Sequence, residues 1–207
     1  MAEMGICSTE NSLPSPAFTN NPSEDTLHGE DWKHRPPYHI QNEKEFGPVK
    51  YKGSCQCGRI TYALKRAQPL NSKFCHCRGC QVMHGAPFQW ATIFHKEDIS
   101  FAKGSSGLAF YSAGHKSQKH ETPTKVSCDF CHTLIMDEGR NMCLLFPQSI
   151  RFQGSYDEQR KQLEALKPSC HIFYEQRMFD FPDGTPKWSG MDGHSQLLDD
   201  AGQPIKQ

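Results

Sequence analysis

A chain of 207 residues with 36% apolar side chains holds enough material for one modest core and too little for two, which excludes a multidomain array and gives bound metal a natural part in folding. The formal charge is zero but uneven: residues 1–48 carry three Lys or Arg against eight Asp or Glu, and the rest carry 20 against 15. The basic surplus of the body is scattered, so no nucleic-acid footprint is evident, and no apolar run approaches a bilayer span, so no membrane partner is expected.

Residues 1–47 combine Pro14, Pro16, Pro22, Pro36 and Pro37 with Ser, Asn and Glu and have neither helical nor strand periodicity, the composition of an acidic, partly disordered arm. Segment 32–40, with Trp32, Tyr38 and the paired prolines, can pack on the body in an extended form. Cys7 reads as a bystander.

Apolar and polar residues alternate over 49–53 and again over 59–64, which predicts two antiparallel strands. Between them lies Cys55-Gln56-Cys57, flanked by Gly53 and Gly58 that let the backbone turn tightly. A second cluster, Cys75-His76-Cys77-Arg78-Gly79-Cys80, runs into a helical turn over 80–84 that Gly85 ends. Amides at the start of such a turn soften the charge of thiolates. Strands are predicted over 87–94, 108–111, 125–127, 133–136 and 141–146, with the pair Cys128 and Cys131 at the turn between the third and fourth. Ser155 and Glu158 have capping-box spacing and open a surface helix over 159–166, stopped by Pro168. Residues 170–174 read as the last buried strand, Asp183-Gly184 as a turn, and 191–207 as a polar, frayed tail. The fold class is mainly β.

Seven of the ten cysteines sit at chelating spacings. The first residues contain acids and no apolar leader segment, so a reducing compartment is expected, the cytoplasm with the nucleus as alternative. There, C-x-C and C-x-x-C pairs read as metal ligands rather than disulfides. Cys75, Cys77 and Cys80 can reach one ion with almost no loop to close, leaving a fourth position undecided. Cys55, Cys57, Cys128 and Cys131 make a second set, of four. A closed four-ligand zinc site is structural, and an open one is suited to chemistry.

The order of these motifs, Cys55-x-Cys57-Gly58 with Tyr62, Cys75-His76-Cys77-x-x-Cys80, Gly85 with Phe88 and Trp90, Cys128-x-x-Cys131, and His171-Ile172-Phe173 with Trp188, closely resembles the glutathione-dependent formaldehyde-activating enzyme family, whose domain is shared with centromere protein V. The resemblance covers residues 48–190. It implies a β-tent-like fold of small antiparallel sheets with two zinc ions, one structural and held by Cys55, Cys57, Cys128 and Cys131. The other, held by Cys75, Cys77 and Cys80, would handle a thiol adduct. His132 stands where the family usually has glycine after the last pair.

The expected function is that of a zinc-dependent carbon-sulfur lyase acting on a thiol adduct, of glutathione type, of a small carbonyl compound. The alternatives are a lyase or isomerase on a larger carbonyl or aromatic metabolite at the same zinc, and a non-catalytic zinc-stapled protein-binding module. An open second site separates the enzyme readings from the module. No catalytic group is assigned. His76 is read as a hydrogen-bond donor to a thiolate, with a proton shuttle beside the open site as the alternative, and His171 as a satisfied core histidine. His84 and His132 are each considered as a fourth ligand. Cys143 and Cys170 read as core, and Phe88 and Trp90 as packing residues that could wall a pocket. Arg59, Lys73 and above all Arg78 are the candidate holders of substrate carboxylates.

Overall fold

The structure, a computed structural model, describes residues 30–205. The expectations for most of the acidic arm and for Cys7 lie outside the described residues. Among the described residues, thirteen strands form two sheets, so the chain is mainly β as expected. The smaller sheet holds β1 (Tyr51–Ser54), β2 (Thr61–Leu64), β5 (Ile99–Phe101) and β10 (Ile150–Arg151), in the order β10-β1-β2-β5. The larger holds β3 (Asn71–Cys75), β4 (Gln89–His95), β6 (Leu108–Tyr111), β7 (Thr124–Cys128), β8 (Leu134–Glu138), β9 (Met142–Leu145), β11 (Cys170–Ile172), β12 (Lys187–Trp188) and β13 (Leu197–Leu198). Its order is β13-β12-β11-β3-β4-β9-β8-β7-β6.

Side chains alternate along a strand and directly paired residues share a face, so the register assigns the two faces of the larger sheet. Phe94 pairs with Cys143 and Thr92 with Leu145, and Val126 pairs with Met136. These residues face the core, where they meet Tyr62, Leu64, Ile99 and Phe101 of the smaller sheet. On the opposite face Cys75 pairs with Gln89, while Ile93, Leu144, Asp137 and Lys125 follow one another across four strands. That outer face is covered in part by α2 (Arg78–His84), which follows β3 directly.

The glycines around the first cysteine pair act for different reasons. Gly58 has φ of +77°, a conformation glycine reaches without strain. Gly53 instead lies under its cross-strand partner Tyr62, whose ring would sit 2.1 Å from any Cβ there. Its role is close packing, not the turn.

Two expectations about the chain ends are corrected. Segment 170–174 is not the last strand: β11 runs parallel to β3, and β12 and β13 extend the sheet beyond it. The residues after Gly190 are not frayed within the described range, because Lys187, 1% exposed, needs carboxylates and takes one from Asp200 at 2.8 Å as well as one from Asp183. A buried ammonium left unpaired would cost several kcal/mol. The capping-box helix is present as α3 (Tyr156–Glu164), with Ser155 and Glu158 in reciprocal hydrogen bonds. The remaining helix, α1 (Glu43–Phe46), is a single turn capped by Asn42.

Candidate metal centres and the ground between them

The C-x-C turn between β1 and β2 and the C-x-x-C turn between β7 and β8 bring Cys55, Cys57, Cys128 and Cys131 together, with all four Sγ atoms within 4.8 Å of one another. Cys55 and Cys57 are 3.5 Å apart and Cys57 and Cys128 3.9 Å. Four sulfurs around one zinc lie about 3.8 Å from each other, given Zn–S bonds of about 2.3 Å. The donor set therefore fits such an ion. Thr133 ties the two turns, accepting from the Gln56 amide at 3.1 Å and contacting Cys131 Sγ at 3.2 Å. That contact, first among its causes, holds the Cys131 thiol down to about 5.

His132 adopts the left-handed backbone that the glycine would supply, with φ of +59°, and its amide donates to the Cys128 carbonyl at 3.0 Å. The turn keeps its shape at a cost of about 1 kcal/mol. His132 is not among the ligand atoms of either group.

The second group gathers Cys75, Cys77 and Cys80, their sulfurs again within 4.8 Å. Cys75 ends β3. Cys77 is the N-cap of α2, its Sγ accepting from the Cys80 amide at 3.4 Å, and Gly85 closes the helix in the left-handed region with φ of +57°. Gln81 anchors the motif from beneath, donating to the carbonyls of His76 at 2.7 Å and Gln176 at 2.6 Å. Hydrogen bonds from Cys75 and then Cys80 push the Cys77 thiol far down, while those with Cys75 and then Cys77 push Cys80 far up. Three thiols so close cannot all ionise unless a cation balances them, which is the electrostatic signature of a metal-binding set. Among the described residues, no fourth His, Cys, Asp or Glu joins this group.

His76 does not use Nε2 on a thiolate. It bonds His171 Nδ1 at 2.8 Å, His171 Nε2 bonds Asp183 Oδ2 at 2.8 Å, and Lys187 Nζ bonds the other Asp183 oxygen at 2.8 Å. Since the carboxylate only accepts, neutral His171 donates to Asp183 and accepts from His76, leaving His76 Nδ1 as an acceptor. That atom is buried without a protein partner. Burial, then the charges of His171 and Arg177, lowers His76 to about 4, so the ring is neutral at pH 7. The chain of four side chains links the three-cysteine loop to β11 and β12.

The bases singled out in the sequence are engaged elsewhere. Arg59 stacks on Phe130, 3.5 Å from the ring centroid; Lys73 pairs with Asp192; Arg78 points its guanidinium at Gln81. Trp90 pairs with Phe74 on the face away from Cys75, and its Nε1 donates to Ser72 Oγ. Phe88 packs edge-on against Phe74 and Phe181. Cys143 and Cys170 are buried as expected.

Instead, the outer-face residues Gln89, Lys125 and Asp137 adjoin the second group, together with His84, one helical turn after Cys80 on the same side of α2. Lys125 Nζ bonds Asp137 Oδ2 at 2.5 Å and Gln89 Nε2 bonds the same oxygen at 3.0 Å. Burial alone would lower Lys125, but Asp137 and then Cys80 more than compensate and its pKa is raised. Sequence reading missed Gln89, Lys125 and Asp137. Their only advance signal was the position of Gln89 in the strand after the cysteine cluster.

A family model described as glutathione-dependent formaldehyde-activating enzyme matches residues 50–176, more than half the chain. The chain belongs to this family. The match spans both cysteine groups and α2. A solved structure from Rhodobacter sphaeroides, a structural-genomics target, is 18% identical, covers 51% of this chain and 93% of its own, and has a TM-score of 0.39. Among curated proteins none matches.

Proposed function

We propose that this protein is a zinc enzyme that makes or breaks the carbon-sulfur bond of a thiol adduct of a small carbonyl compound, in a reducing compartment such as the cytoplasm. The observation that carries the reading is the difference between the two cysteine groups: four thiols in one, three in the other. Four thiols would complete the ligand set of one zinc and leave no room for substrate, whereas three would leave one position for it. A thiol is the natural occupant of a soft, thiolate-rich site.

Zinc bound there would stabilise sulfur as thiolate and hold it in place. The chain's own residues do the rest. Cys77 and Cys80 orient the site from the first turn of α2, and the Gln81 side chain keeps that turn seated. In the lyase direction the hydroxyl of a thiohemiacetal loses its proton, the carbon-oxygen double bond forms, and sulfur leaves with the carbon-sulfur electron pair; a proton then returns to sulfur or solvent. Glutathione fits as the thiol because the family is described by it.

The test is metal content and thiol exchange measured on one preparation. The wild-type protein is expected to hold about two zinc ions per chain. Cys77→Ser should hold about one, remain folded, and lose adduct cleavage. One zinc in the wild type, or adduct cleavage undiminished in Cys77→Ser, would contradict the proposal.

A further inference from the structure

Two buried oxygens beside the three-cysteine group, Gln89 Oε1 and Asp137 Oδ1, accept no well-formed hydrogen bond from the protein, and the His84 ring, whose Nε2 likewise makes none, lies against Gln89. Buried acceptors left without donors are costly, so two in one neighbourhood point to a donor that binds there. Their placement is set by the fold. Gln89 is the direct cross-strand partner of Cys75, with Cβ atoms about 5 Å apart. Asp137 receives the Gln89 amide nitrogen, and His84 follows Cys80 by one turn.

The chemistry of these atoms identifies their complement. Asp137 can only accept, so the amide of Gln89 must turn its nitrogen toward Asp137 Oδ2, and Oε1 is left as the free acceptor. Asp137 Oδ1 is likewise an acceptor, its other oxygen already holding Lys125 and Gln89. Charge agrees: three thiolates on a divalent ion leave minus one, and Lys125 is cancelled by Asp137. A ligand fitting here must donate hydrogen bonds, and a positive charge is favoured over a negative one.

We propose that Gln89 and Asp137, walled by His84, form an acceptor pocket that holds an ammonium or N–H donor of the substrate thiol while its sulfur occupies the second centre. This deepens the proposed function and rests on it. The sulfur and the donor would be only a few bonds apart, as in a 2-aminothiol, since the pocket starts one cross-strand spacing from Cys75.

The experiment is calorimetric binding of three probe thiols of similar length to the two-zinc protein at pH 7: cysteamine, 1-propanethiol and 3-mercaptopropionate. Cysteamine should bind at least about ten-fold tighter than either of the others, the effect of one charge-assisted hydrogen bond. Gln89→Met should shrink that ratio to within about three-fold while keeping both zinc ions and the affinity for 1-propanethiol. Equal binding of all three by the wild type would mean that water alone fills the pocket and would overturn the inference, leaving the thiol site standing. Preference for 3-mercaptopropionate would overturn it in favour of Lys125 as the reader of an anion. Failure of all three thiols to bind would remove the open thiol position itself, and the inference with it.

Discussion

Glu138 lies 2% exposed under Tyr38, whose hydroxyl donates to it at 2.6 Å, while His120 and Lys96 reach its two oxygens at 2.8 and 2.6 Å. Burial would raise the pKa of this carboxyl, yet the hydrogen bond from His120 and the charge of Lys96 outweigh burial and hold it below its ordinary value of 4.5. A depressed carboxylate contributes stability that is present above the unfolded value and lost as pH falls through the folded one. Glu138→Gln should therefore cost about 3 kcal/mol at pH 7, since it strands a buried cation. In urea unfolding the gap between wild type and variant should narrow at pH values below about 4.5. A gap independent of pH would mean that Glu138 acts through packing alone. His132 shows a related economy: its side chain is no ligand, and its contribution is a strained backbone position that a glycine would fill more cheaply.

At the scale of elements, the two knuckles differ from the central loop in what they join. Cys55 and Cys57 sit on the small sheet and Cys128 and Cys131 on the large one, so an ion held by all four ties the layers together and closes a long loop. Structural zinc can contribute on the order of 10 kcal/mol, comparable with the whole stability of a domain this size. Cys128→Ser is accordingly expected to be unfolded or insoluble by circular dichroism and solubility, in contrast to Cys77→Ser, whose ligand set is local. A soluble, folded Cys128→Ser would show that packing alone joins the sheets. Much of this was readable in advance. Alternation located β1, β2, β4, β6, β7, β8 and β9, and the Ser155 capping box located α3, because these signals are local. The parallel pairing of β3 with β11 was not readable, since nothing local distinguishes a strand's eventual neighbours. The same holds for the acceptor pocket: Gln89, Asp137 and Lys125 come from three strands and meet only through register. Arg78 drew attention by lying inside the metal loop, but sequence adjacency placed it on the exposed side of α2.

The whole molecule extends further at both ends than a compact reading of the motifs suggests. Trp32 stacks on His120 at 3.9 Å and meets Phe110 edge-on at 5.1 Å, Tyr38 is buried, and the Pro37 carbonyl accepts from the Phe101 amide. Trp32, Pro37 and Tyr38 are thus part of the core wall, so the segment packs on the body as expected, but it does so as a tight helical turn at Asp31–His34 and a following turn closed by the Tyr38 and His39 amides on the Arg35 carbonyl, not in the extended form. Deleting residues 1–29 should leave the melting temperature within a few degrees of wild type, while deleting 1–40 should lower it by about 10 °C or more, the consequence of removing two core aromatics. Similar losses for both deletions would place the earlier residues in the fold. The proposed zinc chemistry depends on the two cysteine groups differing, four protein thiols in one and three in the other. Zinc-edge X-ray absorption on the intact protein counts sulfurs per ion most directly. An average of about 3.5 sulfurs per zinc is expected without ligand, from one four-sulfur and one three-sulfur site, rising to about 4 when a saturating thiol is added. An average of four before addition, or no rise after it, would show that the three-cysteine group offers no open position to a thiol.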